Sequence, residues 1–163
     1  MVKIIVAMER EAQSLKEAGC TLPIHVCGIG CIDIPADLTE DDIIVNVGYA
    51  GSLKLPVGTI CIPIAVYDKK YHLFKPVNDG INNGILCVTT ETFIEGDGGE
   101  YYPPDTIFDM ELARIVDLPP TRVISVKIVS DNCNEKACEA FNNAECWKLA
   151  WEWITRCRLN IME

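Results

Sequence analysis

The sequence is poor in the residues that bind metals or nucleic acids, and it has no hydrophobic run long enough to cross a membrane. Only two histidines are present, and the nine cysteines include no C-x-x-C pair, so no zinc-binding spacing stands out. Lysine and arginine total 14 against 24 acidic residues, a net charge of −10, which argues against broad contact with a nucleic acid backbone. No apolar stretch approaches the roughly 20 residues of a transmembrane helix. Neither a nucleic acid nor a membrane partner is therefore expected.

What the sequence does contain fits one folded domain. Of its 163 residues 49% are hydrophobic, enough to form a core without disulfides. With no repeat or linker visible, a single domain is expected over residues 1–163. The opening segment Met1-Val2-Lys3-Ile4 enters a strand at once and leaves no room for a signal peptide, so a cytoplasmic location is expected. The cysteines are expected to be reduced thiols packed as small hydrophobes, with a metal or redox role as the alternative.

The order of apolar runs predicts an α/β fold, a mixed sheet flanked by helices. Runs rich in valine and isoleucine predict strands at residues 2–7, 24–26, 43–47, 59–66, 84–89 and 123–129. Helices are predicted at residues 9–17, 109–116 and 134–158, and Asn142-Asn143 is where the last could be interrupted. The nearly continuous apolar run 43–47 is typical of a strand buried on both faces. The segment Asp97-Gly98-Gly99 reads as a loop.

Three acidic signals lie beside these predicted strands. Glu11 follows the first strand, Asp109 and Glu111 open a predicted helix, and Asp131 follows the run 123–129. Ligands of α/β sheets bind in the crevice at the carboxyl ends of the strands, so these acids could converge there. Each also has a structural explanation. Glu11, Asp109 and Glu111 could be first-turn acids that complement a helix dipole, and Asp131 could be a helix cap or turn residue.

Two glycine-rich segments add weaker signals. Gly28-Ile29-Gly30 follows a short strand, and Gly48-Tyr49-Ala50-Gly51 follows the strongest one. Small residues at such positions let backbone amides approach a ligand closely, but glycines serve ordinary turns as well. Both interpretations remain open from the residues alone.

Seven short segments carry these signals across nearly the whole chain. They are Ala7-Met8-Glu9-Arg10-Glu11, Gly28-Ile29-Gly30, Asn46-Val47-Gly48-Tyr49-Ala50-Gly51, Lys70-Tyr71-His72, Thr92-Phe93-Ile94, Asp109-Met110-Glu111 and Ser130-Asp131. In this order they resemble the motifs A-M-E-x-E, G-I-G, N-x-G-S-A-G, R-Y-H, A-F-I, D-M-E and S-D. Those motifs are typical of the 5′-methylthioadenosine/S-adenosylhomocysteine nucleosidases, within the nucleoside phosphorylase superfamily.

The resemblance implies a nucleoside phosphorylase-like fold that hydrolyses the N-glycosidic bond of a purine nucleoside without a metal or organic cofactor. It implies that Glu11 positions or activates water and that Asp131 protonates the purine. Members of the family are usually dimers, so a homodimer is expected. The implied binding residues are Ala50 and Gly51 in the glycine-rich segment, Phe93 stacking on the base, Ile94 bonding its edge through the backbone, and Met110 and Glu111 holding the ribose.

Departures from the motifs leave two alternatives open. The chain is short for this family, Tyr49 stands where a small serine is usual, and Leu112 follows D-M-E where a small residue is usual. A bulky Tyr49 could fill space meant for ribose or base, which favours an inactive nucleoside-binding or protein-interaction domain. A nucleoside phosphorylase is the other alternative. It is disfavoured because only Arg10 lies in an early loop where phosphate would be held.

Overall fold

The computed structural model of the chain describes residues 1–78, 84–96, 102–120 and 122–161, with side chains described as far as residue 156. Its strands are β1 Val2–Val6, β2 Ile24–Val26, β3 Ile43–Gly51, β4 Ile60–Cys61, β5 Pro63–Asp68, β6 Leu73–Pro76, β7 Ile85–Thr89, β8 Ile107–Asp109 and β9 Arg122–Asp131. Its helices are α1 Glu9–Glu17, α2 Leu112–Ile115, α3 Glu135–Ala140 and α4 Ala144–Ile161.

The described strands form one mixed sheet that contains two sets of parallel strands, with β4 and β6 added antiparallel to β9 and β5. Strands β2, β1, β3 and β9 run parallel to one another, and so do β8, β7 and β5. The two sets meet antiparallel where Gly51 at the end of β3 pairs with Phe108 in β8. The carboxyl ends of both sets are thereby brought to the same place. The mixed sheet flanked by helices confirms the predicted α/β fold class.

Alternating side chains give the sheet a core on each face. Ile4 and Val6 pack with Leu15 of α1 and Trp147 of α4 on one face. Ile5, between them, belongs to a second core on the other face, which includes α2. Period-two alternation with both faces buried explains why the strands read as continuous apolar runs. The helices therefore cover the sheet and leave the strand ends to form a site.

Helix α1 is fixed at both ends by its own sequence. At its start the Glu11 carboxylate accepts a hydrogen bond from the Met8 N–H at 3.0 Å, half of a capping box. At its end Gly19 adopts φ +108°, and the N–H groups of Gly19 and Cys20 bond the carbonyls of Lys16 and Leu15. This is a Schellman motif, which requires a left-handed residue that glycine adopts without strain. The predicted helix 9–17 is confirmed residue for residue.

Several strand predictions need correction. The run 43–47 continues as β3 to Gly51, because Gly48 to Ala50 stay in register with Lys127 to Val129 of β9; the turn considered for Gly48 to Gly51 is wrong. The run 59–66 is interrupted at Ile62 and divides into β4 and β5. Strands β6 and β8 were missed, since one ends in a proline and the other has three residues.

Two helix predictions also change. The helix predicted at 109–116 begins only at Leu112, because Asp109 ends β8 and caps the helix with its carboxylate, 2.8 Å from the Leu112 N–H. The helix predicted at 134–158 is two helices, interrupted at the Asn142-Asn143 pair as anticipated. Phe141 is extended there, and the Asn143 side chain accepts hydrogen bonds from the first turn of α4.

The loop predicted at 97–99 lies outside the described residues. In the part of the chain that the structure describes, no helix is long and apolar enough to cross a membrane.

Candidate active site

A cavity of about 390 Å³ opens where the carboxyl ends of the two strand sets meet. Residues at or just after the carboxyl ends of five strands line it: Ala7 after β1, Ala50 and Gly51 from β3, Thr90 after β7, Asp109 from β8 and Asp131 from β9. This volume falls within the range of small-molecule sites. The sheet topology, in which β3 and β8 pair antiparallel at their carboxyl ends, therefore creates the pocket.

Every site residue predicted from the sequence lies in the wall of this one cavity. The nominated residues that line it are Glu11, Ala50, Gly51, Phe93, Ile94, Met110, Glu111 and Asp131. They come from five separate parts of the chain. Their roles toward a ligand stay predictions, but the convergence expected from strand ends is present.

The Glu11 carboxylate is held rigidly in the cavity wall. Oε2 accepts hydrogen bonds from the backbone N–H groups of Ala7 and Met8, and Oε1 accepts one from Tyr49, each at 3.0 Å. A carboxylate offers about four lone-pair positions, so one position on Oε1 is left by these three donors. Glu11 lies in the first turn of α1, as its structural explanation expected. The same geometry leaves its carboxylate able to accept a hydrogen bond from a further donor.

Gly48 keeps the space beside that oxygen open. A Cβ at this position would lie 3.1 Å from Glu11 Oε1 and 3.6 Å from Lys127 Nζ. Such a contact is tighter than nearly all real ones, so a larger residue would displace the carboxylate. Gly48 is therefore needed to leave room for the side chains of Glu11 and Lys127, and it does not form a turn.

Asp131 ends β9 and is 1% exposed. The Ser130 hydroxyl donates to its Oδ2 at 2.7 Å, and the Asn134 N–H donates to its Oδ1 at 3.0 Å. A Cβ on Gly51 would lie 3.0 Å from Oδ1, so glycine lets β3 pass close to the carboxylate. Asp131 caps the turn before α3, as the structural reading allowed, and it also lines the cavity.

Asp109 and Glu111 form a second acidic group at the end of β8. Asp109 accepts hydrogen bonds from the Thr89 hydroxyl at 2.6 Å and pairs with Lys127 at 2.9 Å. Glu111 accepts one from the Gly30 N–H at 3.0 Å. The G-I-G segment thus orients Glu111, while the buried lysine compensates the charge of Asp109.

Lys127 is the ionisable residue beside the site that sequence reasoning missed. It is 1% exposed, and strand β9 around it is buried except at its first residue, Arg122. A signal was available, since the lysine interrupts the apolar run Val123 to Val129, which was predicted to be a strand. A charge inside a strand buried on both faces must be paired with an opposite charge. The run therefore implied a buried carboxylate partner.

Burial and neighbouring charges set the acid strengths in the cavity. Burial raises the pKa of Glu11, while the Tyr49 N–H and the Lys127 ammonium act in the opposite direction. Burial and the Asp109 charge raise the pKa of Glu111 to about 7. For Lys127, burial lowers the pKa, but the carboxylates of Asp109 and Glu111 outweigh this and raise it above the ordinary value. Glu11 is thus a stronger base than an exposed glutamate.

The two substitutions that set this chain apart from the family motifs do not block the cavity. The Tyr49 ring packs edge-on against Phe141 and Trp147, both with centroids 5.4 Å away, and its hydroxyl accepts a hydrogen bond from Trp147 at 3.1 Å. The Tyr49 ring therefore forms wall rather than filling the space. Leu112 is fully buried in the core on the α2 face.

Other singled-out residues lie elsewhere. Lys70 pairs with Glu91, and His72 contacts the Tyr67 hydroxyl, both outside the cavity wall. The eight described cysteines are free thiols, all buried except the half-buried Cys138. Most of them pack in the cores, as expected of small hydrophobes, and Cys133 and Cys138 also line the cavity.

The raised pKa of Glu111 predicts a pH-dependent cost to stability. From about pH 4.5, its ordinary pKa, to about pH 7 the folded chain binds this proton more tightly than the unfolded chain, so stability falls as pH rises through that window. Glu111→Gln cannot ionise. Its free energy of unfolding should nearly equal that of the native chain at pH 4.5 and exceed it by about 3 kcal/mol at pH 8.

Urea unfolding of both chains at the two pH values measures this difference. Glu152→Gln, an exposed change on α4, is the matched control, and its free energy of unfolding should differ from that of the native chain by the same amount at both pH values. A Glu111→Gln chain that is less stable than the native one at both pH values would contradict the prediction.

The sheet and its flanking helices have the fold of solved nucleosidase structures. No family model and no curated protein matches the sequence, but solved structures match the fold. The chain is similar to the 5′-methylthioadenosine/S-adenosylhomocysteine nucleosidase of Neisseria meningitidis in complex with methylthio-immucillin-A. That match has a TM-score of 0.71 and 18% identity, and it covers 94% of this chain and 97% of that one.

Two further structures agree. The nucleosidase MTAN of Chlamydia trachomatis bound to MTA matches with a TM-score of 0.68 and 16% identity, covering 91% of each chain. The futalosine hydrolase of Helicobacter pylori strain 26695 matches with a TM-score of 0.69 and 14% identity, covering 94% of this chain and 95% of that one. At this identity the likeness establishes the fold, and it confirms the fold that the sequence motifs implied.

Proposed function

We propose that this chain is a nucleosidase that hydrolyses the N-glycosidic bond of a purine nucleoside of the methylthioadenosine type and releases the free base. The observation that carries the proposal is the convergence of Glu11, Glu111 and Asp131 on one cavity from three separate strand ends. The nucleosidase structures with bound MTA and methylthio-immucillin-A support the choice of substrate.

Asp131 acts as the general acid. It donates a proton to the purine ring, so that the base leaves as a neutral molecule when its bond to the ribose carbon breaks. Ser130 and Asn134 hold the two carboxyl oxygens in a fixed position, which orients the acid toward the cavity. Phe93 stacks on the purine, and the Ile94 backbone bonds its edge. Acid catalysis of this kind accelerates a reaction by about 10²–10⁴-fold.

Loss of the base leaves an oxocarbenium-like ribose, and the anionic wall stabilises it. Glu111 accepts hydrogen bonds from the ribose hydroxyls, and Met110 packs against the sugar, with Ala50 and Gly51 lining the same wall. Fixed negative groups near a developing cation lower the barrier because they need no reorganisation. The buried acids therefore favour the transition state over the neutral substrate.

Glu11 activates the attacking water. The lone pair of Oε1 that the backbone donors leave accepts one proton of the water, whose oxygen forms the new bond to the ribose carbon. Burial raises the pKa of Glu11, which strengthens it as a base near neutral pH. The bond broken is carbon to nitrogen, the bond formed is carbon to oxygen, and no metal or organic cofactor takes part in this scheme.

Phosphorolysis fits the cavity less well. Among the described residues of its wall Arg10 is the one cation. Its guanidinium donates to the carbonyls of Cys138 at 3.1 Å and Glu139 at 3.3 Å, and it lies over the Tyr49 ring. It is thus engaged in holding α3 against α1. A phosphate would have to displace these carbonyls to form a two-point contact with the arginine.

We further propose a single domain over residues 1–163, acting as a homodimer in the cytoplasm. Three isoleucines in the loop beside the cavity, Ile29, Ile32 and Ile34, are exposed. Burial of such side chains against a second copy would stabilise an association, and Ile29 already belongs to the cavity wall.

The test is release of adenine from methylthioadenosine in phosphate-free buffer. We expect turnover at a rate that added phosphate does not change, and in heavy-oxygen water we expect the label on the released sugar. Release that requires phosphate would identify a phosphorylase instead. Binding of methylthioadenosine with no release under either condition would identify a nucleoside-binding protein without this activity.

A further inference from the structure

Two cysteines meet in the loop that follows β2. Cys27 comes directly after the strand, and Cys31 lies beyond the segment Gly28-Ile29-Gly30. The Cys31 N–H donates to the Gly28 carbonyl at 3.0 Å, and the Asp33 N–H donates to the Cys27 carbonyl at 2.8 Å. A turn closed in this way brings its end Cα atoms within about 7 Å. The chain therefore folds back on itself, and both cysteine side chains pack in the core on the α2 face.

The backbone of Cys31 has a conformation that cysteine rarely adopts. Its φ is +56°, in the left-handed region that is unfavourable for a residue with a Cβ. Such a conformation persists only where the surrounding contacts fix it. Here the neighbouring Gly30 is bonded on both sides, because its N–H donates to Glu111 at 3.0 Å and its carbonyl accepts from Arg114 at 2.7 Å. These contacts hold the Cys31 thiol beside that of Cys27.

The surroundings of the pair make Cys31 the more reactive thiol. The Cys27 thiol lies within hydrogen-bonding reach of the Cys31 sulfur and, at 3.4 Å, of the Gly28 carbonyl. Its contact with Cys31 and its burial raise the pKa of Cys27. The same contact lowers the pKa of Cys31, and the positive charges of Arg114 and Lys127 lower it further against the effect of burial. Since the thiolate is the form that attacks an oxidant, Cys31 is the nucleophile of the pair.

We propose that Cys27 and Cys31 form a redox-active dithiol, which a peroxide converts reversibly into an intramolecular disulfide beside the cavity. The Cys31 thiolate attacks one oxygen of hydrogen peroxide, the oxygen–oxygen bond breaks, and hydroxide leaves as Cys31 becomes a sulfenic acid. The Cys27 thiol then attacks the Cys31 sulfur, the sulfur–sulfur bond forms, and water leaves. In total the two thiols lose two electrons and two protons, and the peroxide takes them up to form two waters. A dithiol reductant reverses the change by thiol–disulfide exchange.

The loop places this pair close to both solvent and cavity. Cys31 is 4% exposed, but Ile29 and Ile32 nearby are 56% and 78% exposed, so the thiol lies just beneath the surface, where a molecule close to water in size can approach it. Ile29 lines the cavity, and Gly30 orients Glu111. A disulfide brings its sulfurs to about 2 Å, so its formation moves the same loop that carries these two contacts.

Peptide mapping tests the proposal. Trypsin releases residues 17–54 as one peptide, because Lys16 and Lys54 bound a stretch without lysine or arginine, and its cysteines are Cys20, Cys27 and Cys31. The folded, reduced chain is treated with equimolar hydrogen peroxide, and the remaining thiols are alkylated in denaturant. We expect the peptide to lose two hydrogens and to carry one alkyl group instead of three. Treatment with dithiothreitol before alkylation should restore all three.

Variants assign the bond to its two cysteines. Cys27→Ser and Cys31→Ser should each abolish the loss of two hydrogens. Cys20→Ser removes the third thiol of the same peptide and is the matched control, which should form the disulfide as the native chain does. Fragmentation of the native peptide locates the bond independently of the variants, since cleavage within the closed segment 28–30 releases no separate fragments.

The possible results decide the matter either way. Three alkyl groups on the peptide after peroxide treatment, or a disulfide that includes Cys20, overturns the proposal. Oxidation of Cys31 to a sulfinic acid while Cys27 stays a free thiol also overturns it. Each of these results is read from the peptide alone, so it does not depend on whether the chain releases a purine base.

Discussion

Asp131→Asn is expected to reduce adenine release from methylthioadenosine by about 10²–10⁴-fold, the contribution of a positioned general acid. The amide has the size of the carboxyl group but cannot give up a proton to the purine. Its oxygen can still accept the Asn134 N–H bond, and its NH₂ group can donate to Ser130. The local structure should therefore survive while proton donation is lost.

Single-turnover rates and thermal unfolding, measured together, check this prediction. Asp41→Asn, an exposed change outside the cavity wall, is the matched control and should retain the native rate. A substrate with a leaving group that needs no protonation should be cleaved by Asp131→Asn nearly as fast as by the native chain. If Asp131→Asn cleaves methylthioadenosine at the native rate, Asp131 is not the acid.

Lys127→Met is expected to have the largest effect on stability. It leaves the Asp109 carboxylate, which is 5% exposed, buried without its cation, although the Thr89 hydroxyl and the Leu112 N–H still bond it. Breaking a buried ion pair by removing one partner costs about 3–5 kcal/mol in the free energy of unfolding. An exposed ion pair contributes less than about 1 kcal/mol to the free energy of unfolding. The large expected loss therefore comes from the burial of the Lys127–Asp109 pair.

Urea unfolding of three variants tests this argument. Lys127→Met combined with Asp109→Asn removes both charges and should recover much of the lost stability. Lys70→Met, which breaks the exposed pair with Glu91, is the control and should change stability by less than about 1 kcal/mol. A Lys127→Met chain as stable as the native one would show that the buried pair does not contribute as described.

The fold was predictable to the extent that local sequence decides it. Helix α1 has its capping acid, its buried Leu15 and its terminating Gly19 within eleven residues, and strand β2 was predicted with its correct bounds. Where the pairing of distant strands decides the secondary structure, the sequence was not enough to predict it. Gly48 to Gly51 have turn-like composition but are strand because β9 lies alongside them. The three residues of β8 are strand because β7 pairs with them.

The candidate site was likewise predictable only in part. The acids Glu11, Glu111 and Asp131 were visible as motifs beside predicted strands, and all three line the cavity. Lys127 was missed because a lysine in a strand is usually exposed, and only the sheet register shows it opposite Gly48 and close to Glu11. The hydrogen bonds from Arg10 to the carbonyls of α3 could not be predicted either, because those partners lie about 130 positions away in sequence.

The sequence by itself determined the class of fold, the start and end of α1 and the identity of the acids, because those depend on residue type and short-range periodicity. The tertiary structure alone decided that β3 and β8 pair at their carboxyl ends and that the acids therefore share one cavity. The tertiary structure also decided that Lys127 neutralises the charge of Asp109 and that the Tyr49 ring packs in the cavity wall against Phe141 and Trp147. Pairing between distant strands sets these distances, and no local pattern of residues encodes them.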